Sequence, residues 1–350
     1  MEFIYLAGAG LCAASAFRKR VMDDSGTIAG EAPWPIFSLP GRGAADLERS
    51  TFMPETTALG SPMYYADVGE GPPFLFLHGN CGSSYIWRRV LPGIGGGRLL
   101  TPDLIGMGRS GKPDIPYSFA DHARYLDAWA DALQLEDVVL VGHDWGGTLA
   151  CDWAARHPGR VRGVVLMETI VKPMAWDELQ PWARARCEAI STPGTGEEMV
   201  LAQDLYLRHA YTGGGGVLTT VADADMAAHL APYPTPESRR PLLAWARQIP
   251  LDGRPAELVA RMRAFHTWMA ASVDVPKLLL TFHGSPTLLL GEDMAAWCAA
   301  HFAGLETVSC GAAGHFAPED RPHEIAAAVS AWAGRHRLFD HRKEPTTCEQ

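Results

Sequence analysis

An α/β fold, with a mostly parallel central sheet, helices on both faces and an inserted helical cap, is what this sequence predicts. Three observations carry the prediction. From about residue 55, short apolar runs alternate with amphipathic helical stretches, the rhythm of a parallel sheet covered on both sides. One of those runs, Val138 to Val141, stops at Gly142-His143-Asp144-Trp145-Gly146 and passes into helical sequence, a strand–turn–helix elbow. The rhythm then breaks over residues 172–262 and resumes at Pro276, as expected for an all-helical insertion.

The elements follow in order. Pro62 to Val68 is expected as an early strand, with Gly69-Glu70-Gly71-Pro72-Pro73 as the turn after it. Phe74 to Leu77 is a buried strand leading into His78-Gly79-Asn80. Arg98 to Leu104 is another, and it enters the Asp103 to Gly108 loop, which Asp103 is expected to support. Ala120 to Leu133 is helical, because Tyr125, Leu126, Trp129 and Leu133 recur at three- and four-residue steps. Beyond the elbow, a helix runs to His157-Pro158-Gly159, and the strand Gly163 to Met167 ends at Glu168. Lys277 to Phe282 and Glu306 to Cys310 are later strands, the second running into Gly311-Ala312-Ala313-Gly314-His315. A last helix covers about Pro322 to Arg337. The expected organisation is a 1–50 extension and linker, a core of 51–171 with 263–340, a 172–262 cap, and a flexible 341–350 tail.

Composition narrows the partners. A net charge of −10 with no long basic cluster argues against nucleic acid. Seven scattered cysteines without a Cys-x-x-Cys pair read as reduced thiols of a cytoplasmic enzyme, and no histidine spacing suggests a metal. The expectation is catalysis without metal or cofactor. Phe3 to Phe17 is apolar and Arg18-Lys19-Arg20 follows, so membrane contact is expected only if residues 3–20 act as an anchor. The run is short against the ~20 apolar residues of a span, and a true start at Met22 or Met53 is the alternative. Gly30 to Gly43 reads as linker. Monomer and homo-oligomer stay equally open.

The chemistry gathers at the carboxyl edge of the sheet, where ligands bind in open α/β folds. The elbow residue is Asp144. An aspartate side chain ordinarily titrates at ~3.9 and is ionised at neutral pH. It needs no base to attack saturated carbon or an epoxide through an alkyl-ester intermediate. His315, in a glycine loop after a strand, is the expected base that activates water against that ester. Glu168 is the candidate carboxylate to orient it, ahead of Glu292 and Asp293, which look like a helix start. Asn80 and Trp145 supply neutral N–H donors beside the nucleophile, suited to a departing halide.

Taken together, His78-Gly79-Asn80 with Ser83 to Arg88, Asp103 to Gly108, His143-Asp144-Trp145-Gly146, and Gly314-His315-Phe316 with Glu319-Asp320 resemble the haloalkane dehalogenases, a family of α/β-hydrolase fold. The similarity runs from about Gly60 to Leu338. It implies hydrolytic dehalogenation, with Asp144 as nucleophile, His315 as base, Glu168 as acid, and Asn80 with Trp145 holding the halide. The implied partners are a small halogenated hydrocarbon and a halide ion. Two departures bear on substrate range. Cys81-Gly82-Ser83 stands where the family usually has Pro-Thr-Ser, an exchange expected to loosen the loop that positions Asn80. Trp245-Ala246 replaces the usual Trp-Pro in the cap.

Two rival readings remain. An epoxide hydrolase would need cap tyrosines as proton donors, and Tyr206, Tyr211 and Tyr233 lie in the cap. A non-catalytic binding protein on a hydrolase fold is the other, although such proteins usually lose a triad member.

Overall fold

The computed structural model describes residues 55–342. The expectations for the 1–50 extension, its linker and possible anchor, and for the tail beyond 342 lie outside these residues. The strands are β1 (Glu55–Ala58), β2 (Ser61–Glu70), β3 (Pro73–Leu77), β4 (Gly97–Pro102), β5 (Val138–His143), β6 (Val161–Met167), β7 (Lys277–His283) and β8 (Leu305–Ala312). They form one sheet in the order β1-β2-β4-β3-β5-β6-β7-β8. The β1–β2 and β2–β4 pairs are antiparallel, and every later pair is parallel.

β1 escapes the sequence reading because Glu-Thr-Thr-Ala is four residues long and only Ala58 is buried. Its register comes from a two-residue hairpin, Leu59-Gly60, both at positive φ, which pairs Ala58 with Ser61. β5, by contrast, is buried at all six positions. A central parallel strand is covered by helices on both faces, so it reads as a continuous apolar run instead of an alternating one.

The helices of the first half are α1 (Phe119–Ala132) and α2 (Trp145–Arg156). α1 starts in a capping box, Ser118 accepting from the Asp121 N–H while the Asp121 carboxylate accepts from the Ser118 N–H. It buries Tyr125, Leu126 and Trp129, as their spacing predicts. Between β6 and β7 the chain is helical: α3 (Pro181–Ser191), α4 (Leu205–Ala210), α5 (Asp223–Leu230), α6 (Arg240–Ala246) and α7 (Ala256–Ala271), with a π-turn at Glu198–Ala202. α8 (Glu292–His301) follows β7 and α9 (Pro322–Arg335) follows β8, and the short helical turns Thr195–Glu197 and Ala317–Asp320 lie between longer elements.

A buried ion network joins the helical segment to the sheet side. Arg88 makes a bidentate contact with Glu319 (2.5 and 2.9 Å) and donates to Asp225 of α5 (3.0 Å). His229 of α5 lies 3.0 Å from Glu319 and is stacked on Tyr211 at 3.7 Å. Such a cluster costs desolvation, and it holds only because each charge keeps its partner. Among the described residues, no helix is long and apolar enough to cross a membrane.

Candidate active site

Asp144 follows β5 and precedes α2 at φ +53°, ψ −129°, a conformation L-residues rarely adopt. Strain of this kind costs roughly 1–3 kcal/mol and persists only where the surroundings enforce it. Here the Asp144 carbonyl accepts from Thr169 Oγ1 (2.6 Å) and the Gly147 N–H (3.0 Å). Two glycines make room for the turn. A Cβ on Gly146 would collide with the Leu77 carbonyl, and one on Gly79 with the Asp144 carboxylate.

The carboxylate is held asymmetrically. Its Oδ1 accepts from the Asn80 backbone N–H at 2.6 Å, and the Trp145 backbone N–H also bonds to the group. Its Oδ2 lies 3.3 Å from His315 Nε2. Burial alone would raise the pKa of Asp144, yet hydrogen bonding to His315, the His315 charge and the Trp145 backbone N–H hold it below its ordinary value. The carboxylate is therefore ionised across the neutral range.

His315 Nδ1 lies 3.3 Å from Glu168 Oε2. Glu168 follows β6 at φ +46°, is fully buried, and accepts from the Leu289 N–H (2.8 Å) and the Leu290 N–H (3.3 Å). Those bonds fix the carboxylate that faces the imidazole. Burial would lower the pKa of His315. Hydrogen bonds to Asp144 and Glu168, with the charges of both, overcome that and lift it to about 9. Glu292 and Asp293 are the first residues of α8, as their sequence context predicts.

Asn80 and Trp145 stand beside Asp144. Asn80 Nδ2 donates to the Leu242 carbonyl of α6 at 3.0 Å and lies 3.5 Å from the Tyr206 hydroxyl. Trp145 packs against Phe119 and Trp245, with ring centroids 6.0 and 5.5 Å apart. All five sequence-predicted residues thus converge on one place. Asp103 supports its loop as expected, accepting from the Ser84 and Arg109 N–H groups.

The expected loosening at Cys81 is not what the structure displays. Cys81 sits at φ +62°, which a proline ring, locked near −65°, cannot reach. Its N–H donates to Asn80 Oδ1 (2.9 Å), its carbonyl accepts from Tyr211 (2.7 Å), and the Gly82 carbonyl accepts from Tyr233 (3.0 Å). The loop takes another path, and two cap tyrosines pin it. Burial and the nearby Asp144 charge push the Cys81 thiol well up, so it stays protonated.

Several supports carry no signal that the sequence reading could use. His143 Nε2 donates to the His315 carbonyl at 2.8 Å, and burial lowers its pKa to about 4, so it is neutral. Asp320 accepts from the Gly314 N–H (2.8 Å) and the Leu218 N–H (3.0 Å), and the Phe316 N–H donates to the Gly216 carbonyl. His143 lies inside the elbow motif and Asp320 inside the Glu319-Asp320 pair, so only their partners are hidden.

A strained aspartate elbow paired with a histidine and a buried glutamate sits at the strand edge of an α/β-hydrolase, and the α/β hydrolase fold family matches residues 72–189. The chain is 42% identical to a haloalkane dehalogenase of Mesorhizobium japonicum over 278 residues, 78% of this chain and 88% of that one. It is also 42% identical to one of Sphingobium indicum, over 79% and 94% of the two chains. The crystal structure of the haloalkane dehalogenase DatA from Agrobacterium tumefaciens C58 superposes with a TM-score of 0.76 at 38% identity, covering 81% of this chain and 97% of that one. The chain belongs to the haloalkane dehalogenase family.

Proposed function

We propose that this enzyme hydrolyses the carbon–halogen bond of small haloalkanes, giving an alcohol, a halide ion and a proton, through an ester on Asp144. The observation that carries the reading is the asymmetric grip on the Asp144 carboxylate. Oδ1 is held by the Asn80 backbone N–H and Oδ2 faces His315 Nε2, which leaves Oδ2 to attack the halogen-bearing carbon in line. The halide departs toward the N–H donors of Asn80 and Trp145, which favour developing negative charge without a cation to retain the product.

Esterification then changes His315. Its high pKa depends on the Asp144 carboxylate, and alkylation removes that charge. The imidazole pKa falls, and a neutral Nε2 takes a proton from water as the water attacks the ester carbonyl. Oδ1 becomes the oxyanion, already facing the Asn80 N–H. Glu168 stabilises the imidazolium through Nδ1. Collapse frees the alcohol and restores Asp144. No cofactor enters these steps.

The described cysteines are free and buried, which fits a reducing compartment, and we assign the enzyme to the cytoplasm. The test is bromide release and acidification from 1-bromobutane by the purified protein. Stoichiometric bromide and 1-butanol support the reading. Silence across short bromoalkanes, with no mass adduct on Asp144, would sink it.

A further inference from the structure

Three cap tyrosines surround the Asn80 loop, and their hydroxyl protons have different fates. Tyr211 and Tyr233 donate theirs to the Cys81 and Gly82 carbonyls. Tyr206, on α4, takes part in one hydrogen bond among the described residues, as acceptor from Asn80 Nδ2 at 3.5 Å. Among the described residues nothing accepts its proton. The hydroxyl lies against the Asn80 amide, and Asn80 bonds to Asp144 Oδ1 through its own backbone N–H, so one residue links the phenol to the carboxylate. An apolar ring would close that wall of the site equally well, and a phenol there carries the desolvation cost of a polar group.

What a phenol adds is a transferable proton. The amide of Asn80 and the indole of Trp145 can stabilise an anion but cannot protonate one. A halide needs no proton on leaving. An alkoxide does.

We propose that Tyr206 equips this site for a second reaction, the hydrolysis of small terminal epoxides to vicinal diols, with Tyr206 as proton donor to the ring oxygen. The inference rests on the roles of Asp144 and His315 given above. Asp144 Oδ2 forms a bond to the unsubstituted ring carbon, the carbon–oxygen bond breaks, and its electron pair stays on oxygen. The Tyr206 hydroxyl gives that oxygen its proton, leaving a phenolate and a β-hydroxyalkyl ester. Water then loses one proton to His315 Nε2 and adds to the ester carbonyl. Collapse expels the second diol oxygen, which takes the proton from His315. The remaining proton, on the Asp144 carboxyl group, returns to the Tyr206 phenolate. The sum is epoxide plus water to diol.

The experiment compares 1,2-epoxybutane with 1-bromobutane, using the full-length wild-type protein and Tyr206→Phe. Wild type is expected to form 1,2-butanediol. A single turnover in ¹⁸O-water is expected to leave the label on Asp144 and none in the first diol. In Tyr206→Phe, diol formation is expected to fall about 100-fold or more, in the range of a lost general acid, a larger loss than that of bromide release, while an unchanged circular dichroism spectrum certifies a folded protein. Bromide release by wild type without any diol overturns this inference and leaves the dehalogenase reading intact. Diol formation that survives Tyr206→Phe, or loss of both activities in equal proportion, overturns the proton-donor role. Neither bromide nor diol from wild type overturns both.

Discussion

The two sides of Asp144 are built differently. On the base side, His315 is held by backbone and buried side chains near the sheet: Glu168 against Nδ1, the Leu289 and Leu290 N–H groups behind Glu168, and His143 beneath the His315 carbonyl. On the leaving-group side, Asn80 depends on α6 through Leu242, on Tyr206 of α4, and on a loop pinned by Tyr211 and Tyr233. The base side is fixed mainly from the sheet edge, with the Gly216 carbonyl and the Leu218 N–H of the insertion bonding the flanks of its loop. The other is fixed by the inserted helices. Hydrolysis of the ester should therefore tolerate changes at the Asn80 loop and its two pinning tyrosines better than formation of the ester does.

The largest effect lies at the point the two sides share. Asp144→Ala removes the bond-forming atom, and turnover is expected to fall about 10⁴-fold or more, with no adduct in the intact mass. Halide release that continued in this variant would mean that a water attacks substrate directly and that the asymmetry has no chemical consequence.

Next comes the base side alone. His315→Ala is expected to lower steady-state turnover about 10³-fold, within the range of a lost general base. The first equivalent of halide should still appear as a burst, and the alkyl group should remain on Asp144, visible by mass spectrometry. pH separates the steps in the same way. His315 is raised to about 9 in the free enzyme by the two carboxylates, and it must lose its proton once Asp144 is esterified. Asp144, held below its ordinary value, stays ionised to lower pH. Acidification should therefore slow ester hydrolysis before it slows the burst, so the alkyl-enzyme accumulates at about pH 5. Equal slowing of both phases would break the division.

On the leaving-group side, Trp145→Phe keeps an aromatic ring and deletes one N–H donor. The burst rate is expected to drop about 10²-fold, the scale of one lost donor to developing charge. Decay of an alkyl-enzyme already formed should hold within about twofold. Rapid-quench measurement of bromide separates the two rates.

The same division explains what is legible in the sequence. Asp144, Trp145 and Asn80 lie where apolar strands give way to glycine-bearing turns, and such a turn constrains its residues strongly enough to be read from one chain. Glu168 and His315 follow strands at the same edge, so strand counting alone brings them near Asp144. The Leu289 and Leu290 N–H groups have no side-chain signature, because any residue offers a backbone donor. Tyr206 stands out in the sequence only as one of three cap tyrosines. Which of them faces Asn80 depends on how short helices pack, a property that propensity does not encode. β1 is hidden for a related reason, since a four-residue polar strand gains its structure from its hairpin partner.

Cys81 offers the finest test of the division, because it is where this chain departs from the family pattern on the cap-held side. Cys81→Pro would restore the residue the family resemblance leads one to expect. Proline cannot occupy φ +62°, and it lacks the N–H that now donates to Asn80 Oδ1. The loop must move, and the Tyr211 bond to the Cys81 carbonyl moves with it. The burst of halide is expected to slow about tenfold, a loss of about 1.4 kcal/mol in transition-state stabilisation, as Asn80 turns away from the departing anion. Ester hydrolysis relies on the Asn80 backbone N–H and on His315, so its rate should change less than the burst. A variant slowed equally in both steps would show that the Asn80 loop serves the oxyanion as much as the halide, and the boundary between the two sides would then run through Asn80 itself.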